Sequence, residues 1–111
     1  MKTIINGVEL EFDVYEADNA ELYQKETEKI IKVCEKLKEN DDLAKAIRVQ
    51  CKAIFDFIDT LFGEGKHREI FGESVNLKTC AKAYADINAA IAKDKDEMLE
   101  LLGPMNIADK E

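Results

Sequence analysis

Gly63, Gly65, Lys66, His67 and Arg68 are the residues of this chain whose types and spacing come nearest to chemistry. Glycines beside a lysine can cradle a phosphate, because backbone N–H groups turn inward where no Cβ intervenes. The loop that does so reads Gly-x-x-x-x-Gly-Lys-Ser/Thr and follows a strand. That pattern does not occur here, and the segment follows a helical pattern instead. His67, the lone histidine, stands between Lys66 and Arg68. Two adjacent cations disfavour its protonated form, and no orienting carboxylate, serine or cysteine stands next to it in sequence. It reads as a solvated loop histidine. Cys34, Cys51 and Cys80 are odd in number, widely spaced and without a Cys-x-x-Cys. That argues against a disulfide framework and against structural zinc. Each falls on an apolar helical stripe and reads as a small buried hydrophobe in a reducing compartment. No catalytic residue, metal ligand or cofactor-binding residue is assigned, no cofactor is implied, and the expectation is a protein that is not an enzyme.

The same segment has a structural reading. Phe62-Gly63-Glu64 is repeated as Phe71-Gly72-Glu73. Gly63 and Gly72 read as left-handed residues that each close a helix. Between them, Lys66 to Phe71 can form one or two helical turns. Ile70 and Phe71 then plug back onto the core, and Val75 and Leu77 straddle the start of the next helix. Phe62, Gly63, Gly65, Ile70, Phe71, Gly72, Val75, Asn76 and Leu77 together form a compact corner.

The elements around this corner follow from periodicity. Asn6-Gly7 tolerates the positive φ of a type I′ turn, and Val8, Leu10, Phe12 and Val14 alternate with acidic residues. Residues 2–14 therefore read as a β-hairpin, with Ile5 opposite Val8 and Thr3 opposite Leu10 on its dry face. A lone hairpin is marginal in water. Its dry face must lie on the helices or on another chain, which makes Val8, Leu10, Phe12 and Val14 candidate partner-binding residues.

A first helix is expected after Asp18, with Glu21 completing a capping box. Its stripe runs Tyr23, Thr27, Ile30, Cys34 and Leu37, widened by Ile31 and Val33, and Asn40-Asp41-Asp42 ends it. Asp41 is then the expected cap of a second helix over residues 42–62. This helix carries Leu43, Ile47, Cys51, Ile54, Ile58 and Leu61, broadened by Ala44, Phe55 and Phe62. It is the most apolar element and belongs at the centre. A third helix starts at Asn76 and carries Leu77, Cys80, Tyr84, Ile87, Ile91, Met98 and Leu102, with a solvated stretch over residues 93–97. Gly103-Pro104 is expected to stop it. The fold class is mainly α (α+β): a bundle of three long helices with an N-terminal β-hairpin and a short helix at the corner. Residues 1–104 form one domain, and residues 105–111 a flexible tail.

Composition bounds what such a domain can bind. The chain has 111 residues, 46% of them hydrophobic, which allows one core without staples. Its net charge is -8. Residues 1–28 carry eight acidic side chains against two basic, a net of -6, while residues 29–111 carry 16 against 14, a net of -2. Such a surface repels phosphate backbones, so nucleic acid is not an expected partner. No apolar run approaches the roughly 20 residues that span a bilayer, and no signal peptide is visible, so no membrane partner is expected either.

The corner also carries a resemblance. Phe62 to Gly65, Ile70 to Gly72, Val75 to Leu77 and Cys80, with the opening Ile5 to Leu10, resemble small proteins of Firmicutes phages and prophages. In size, helical character and the Asn-Gly hairpin these are similar to tail assembly chaperones, which keep the tape measure protein soluble while tail tube subunits polymerise around it. The resemblance covers the chain from the hairpin to about Ile91. It implies a cytoplasmic location in the bacterial host, no catalytic residues, and a protein partner, the tape measure or tail tube protein. It also allows a homo-oligomer. The alternatives are a phage structural or connector protein that self-assembles, and an acidic inhibitor of a host protein, for which only residues 9–28 offer clustered acid.

Overall fold

The hairpin forms because Asn6 and Gly7 accept φ values of 50° and 79°, the pair of positive angles a type I′ turn demands. In a computed structural model describing residues 1–37 and 42–109, with side chains through Pro104, strands β1 (Lys2–Ile5) and β2 (Val8–Glu11) pair antiparallel. Ile5 faces Val8 and Thr3 faces Leu10, the expected register. Ile5, Leu10, Phe12 and Val14 are buried in the chain's own core, while Ile4 on the other face is exposed. Of the two places expected for this face, the helices or another chain, Leu10, Phe12 and Val14 take the first. An alternating strand has one apolar face, and here the helices cover it. Val8, the fourth candidate, is half-buried against the same core.

Among the described residues four helices follow: α1 (Ala17–Leu37), α2 (Leu43–Phe62), α3 (Lys66–Phe71) and α4 (Leu77–Asp109). The fold is thus the expected one, three long helices with a hairpin and a short corner helix. α1 begins earlier than Asp18, because the Glu16 carbonyl accepts the Ala20 N–H at 2.9 Å. Asp18 lies inside the first turn, where its charge favours the helix dipole. α1 buries Tyr23 and Ile30, but Cys34 and Ile31 face water, so the apolar stripe is narrower than the sequence suggests. Asn40 and the expected cap Asp41 lie outside the described residues. Asp42 caps α2, its Oδ1 accepting the Lys45 N–H at 3.0 Å.

α2 sits at the centre and touches α1, α3 and α4. It buries Cys51, Ile54, Phe57, Ile58 and Leu61. Leu43 is 75% exposed and Ile47 only half-buried, because α2's first turns project past the core. Fully buried Phe57 is absent from the expected row. It contacts the rings of Tyr23 and Tyr84 at 6.2 and 5.1 Å and so joins all three long helices. Each such buried side chain contributes about 1.5–3 kcal/mol.

Asn76 caps α4 as expected, its Oδ1 accepting the Thr79 N–H at 3.1 Å. α4 does not stop at Gly103-Pro104. It runs on to Asp109 with Pro104 inside it. Proline removes one N–H, which leaves the Glu100 carbonyl to be satisfied by water, and this stretch of helix is exposed. Cys80 lies against Cys51 and Tyr84 against Phe57, so α2 and α4 run in the same sense. The corner between them is a return crossover along α2.

Candidate functional site

The corner is built around Asp59 on α2. The His67 N–H donates to Asp59 Oδ1 at 2.9 Å, and His67 Nδ1 lies 2.7 Å from Asp59 Oδ2. The imidazole stacks on Phe55 with ring centroids 4.5 Å apart. His67 is therefore a latched, partly buried residue, which corrects its reading as a solvated histidine without an orienting carboxylate. The carboxylate comes from one helix earlier, where sequence adjacency does not show it.

The other corner residues divide into plugs, stops and surface. Ile70 and Phe71 are buried, as the plug reading requires, and Phe71 packs on Phe55 at 5.5 Å. Asn6 Nδ2 donates to the Ile70 carbonyl at 3.1 Å, tying the hairpin turn to the corner. Phe62 packs edge-on against Phe12, 6.1 Å away. Gly63 is not left-handed helical: its φ of 123° and ψ of 145° are extended with positive φ, a region open almost only to glycine. Its N–H still donates to the Asp59 carbonyl and closes α2. Gly72 likewise leaves the left-handed region, with ψ at -131°, because the chain turns straight into an extended link. Gly65 adopts the left-handed conformation instead and starts α3. Val75 is exposed and Leu77 half-buried. The corner is packed structure, with His67 as its latch.

A second feature lies on another side of α2. An open groove of about 650 Å³ runs between α1 and α2. Val33, Val49 and Ala53 form its apolar part, and the exposed Lys29, Lys32 and Lys52 edge it. Its α2 residues, Val49, Ala53, Asp56 and Thr60, recur at spacings of four and three. On α1, Glu26, Lys29 and Val33 do the same. Side chains so spaced on two neighbouring helices form holes that accept the side chains of a third. Glu26 is 5% exposed and holds the Lys29 ammonium at 2.7 Å, which keeps the Lys29 pKa above its ordinary value. No groove is expected from the sequence, where Val33 only widens a stripe and Val49 and Ala53 go unassigned. A signal is nevertheless present, because Val49 and Ala53 stand four apart in a row that continues to Phe57 along the edge of the apolar face of α2.

The cysteines differ from one another. Cys51 and Cys80 are fully buried and Cys34 is exposed, so the expectation of three buried thiols holds for two. Desolvation, reinforced by a hydrogen bond with Cys51, pushes Cys80 up to about 12. A thiol held neutral in this way is a poor nucleophile. Among the described residues, no helix is long and apolar enough to cross a membrane.

No curated protein and no solved structure matches the chain. The profile of a family of unknown function, DUF6673, matches residues 6–106, from the hairpin turn through most of α4. The match spans the hairpin turn, the corner and the groove, and on that ground the chain belongs to the DUF6673 family.

Proposed function

We propose that this protein is a non-enzymatic accessory protein of phage or prophage morphogenesis, acting in the host cytoplasm like a tail assembly chaperone. It binds an apolar helical face of a partner, the tape measure protein or the tail tube protein. The observation that carries this reading is the groove between α1 and α2, with apolar Val33, Val49 and Ala53 partly open to solvent at helix-packing spacings. A groove of this kind takes an amphipathic helix through anchors at i, i+3, i+4 and i+7. The resemblance of Phe62 to Gly65, Ile70 to Gly72, Val75 to Leu77 and Cys80 to phage proteins supports the identity of the client. The acidic N-terminal segment suits a protein that keeps an apolar client dispersed. Co-expression with the tape measure protein of the same phage tests the reading. That protein should become soluble with the wild-type chain and stay insoluble with Val49→Glu.

A self-assembling structural or connector protein is the second reading. It is favoured by Leu99, Leu101 and Leu102 on the outer part of α4, which are 62, 65 and 38% exposed. Native mass measurement distinguishes the two, because a connector forms rings of defined size.

A further inference from the structure

The groove and the outer part of α4 are complementary, and one chain does not bring them together. α4 packs on α2 through Cys80 and Tyr84, against the side that carries Cys51 and Phe57. The groove uses Val49, Ala53, Asp56 and Thr60 of α2 with residues of α1, and no α4 residue lines it. Leu99 and Leu102 stand one turn apart on α4 and share a face. Both are exposed, and acidic residues flank them: Asp96, Glu97 and Glu100 are exposed too. The groove offers an apolar strip edged by Lys29, Lys32 and Lys52, with Glu26 on Lys29 at 2.7 Å and Asp56 on Lys52 at 3.5 Å, so three cations stand there against two carboxylates. Even that excess of one positive charge contrasts with a chain whose net charge is -8.

We propose that the α1–α2 groove of one copy receives the outer part of α4 of a second copy, with Leu99 and Leu102 against Val33, Val49 and Ala53, and Asp96 and Glu100 facing Lys32 and Lys52. Apolar burial supplies the attraction, and the charges set orientation and reject other helices of the wrong charge. The two patches differ, so the contact is heterologous and joins copies head to tail. The contact involves this chain alone and holds for either reading of the function. Where a client helix uses the same groove, it displaces the neighbouring copy.

The test uses the full chain and two double variants. Leu99→Glu with Leu102→Glu spoils the α4 end and leaves the groove intact. Lys32→Glu with Lys52→Glu inverts the groove's edge at exposed positions and leaves the core untouched, so circular dichroism should match the wild type. Sedimentation equilibrium should show concentration-dependent association of the wild type, weakened by salt. Each double variant should lower the association constant at least about tenfold, roughly 1.4 kcal/mol. Mixing the two variants should restore a one-to-one complex, since one retains the groove and the other the α4 end. A wild type that stays monomeric at every concentration overturns the proposal. So does a variant that associates like the wild type, or a mixture that forms no complex.

Discussion

One carboxylate on α2, that of Asp59, receives both the backbone N–H of His67 at 2.9 Å and its imidazole Nδ1 at 2.7 Å. This pair fixes where the chain turns back after α2 and therefore where α4 begins. The stack of His67 on Phe55 and the buried Phe71 complete the return. Removing the carboxylate strands a partly buried N–H and frees the ring. Asp59→Ala should cost about 1–3 kcal/mol of unfolding free energy in urea titration. A double-mutant cycle with His67→Ala should show a coupling of at least about 0.5 kcal/mol. Additive losses would mean that the two side chains do not act together.

Leu10 tests whether the hairpin belongs to the chain's own core. Its side chain is fully buried beneath the helices. Leu10→Ala should lower stability by about 2–5 kcal/mol, the range for emptying a well-packed leucine site. Unchanged stability, read from the urea midpoint, would mean that this face is held for a partner instead.

The thiols should separate by environment. A disulfide reagent should modify Cys34 at once in the folded chain and reach Cys51 and Cys80 only on unfolding. The pH dependence of stability follows from Cys80. Its folded-state pKa is raised to about 12 from the ordinary 9.0, so the unfolded chain loses this proton first. Between those values the unfolded state binds fewer protons, and stability falls as pH rises, by at most about 1.4 kcal/mol per unit from this group. Well below the ordinary thiol value the group has no effect. Burial also raises Tyr23, which adds to the fall at the upper end. Cys80→Ala should flatten the decline just above that value, and an unaltered slope there would place its cause elsewhere.

Local features of the fold are readable where a short stretch determines its own conformation. Asn6-Gly7 dictates the hairpin turn and its register, and Asn76 marks the start of α4. The short helix Lys66–Phe71 follows from its flanking glycines. Features that depend on distant residues are not readable. His67 looks solvated in sequence because its carboxylate comes from α2, across the corner. Cys34 looks buried because the stripe of α1 is wider in sequence than the surface that covers it. Phe57 is in step with Ile54 and Leu61, and a row drawn less narrowly includes it. Pro104 looks like a helix stop because a proline usually is one, yet on an exposed helix the lost hydrogen bond falls to water. The groove is hidden because Val49 and Ala53 lie beside the apolar row of α2 without belonging to it. Only the packing of α1 and α4 around α2 shows that they stay partly open.

The groove's apolar character should govern client binding more than its charges do. Ala53→Glu places a carboxylate among Val33 and Val49, where a client helix would have to bury it. This change should weaken capture of a tape measure helix by at least about 2 kcal/mol, read by calorimetric titration. The Asp59→Ala variant, altered on the corner instead, should bind that helix as the wild type does while it remains folded.

Whether the groove holds a client is read from the soluble yield of the tape measure protein when co-expressed with this chain. The wild type should bring it into solution and co-purify with it, while the folded Val49→Glu variant should do neither. Equal insolubility of the tape measure protein with and without the wild-type chain would contradict client binding.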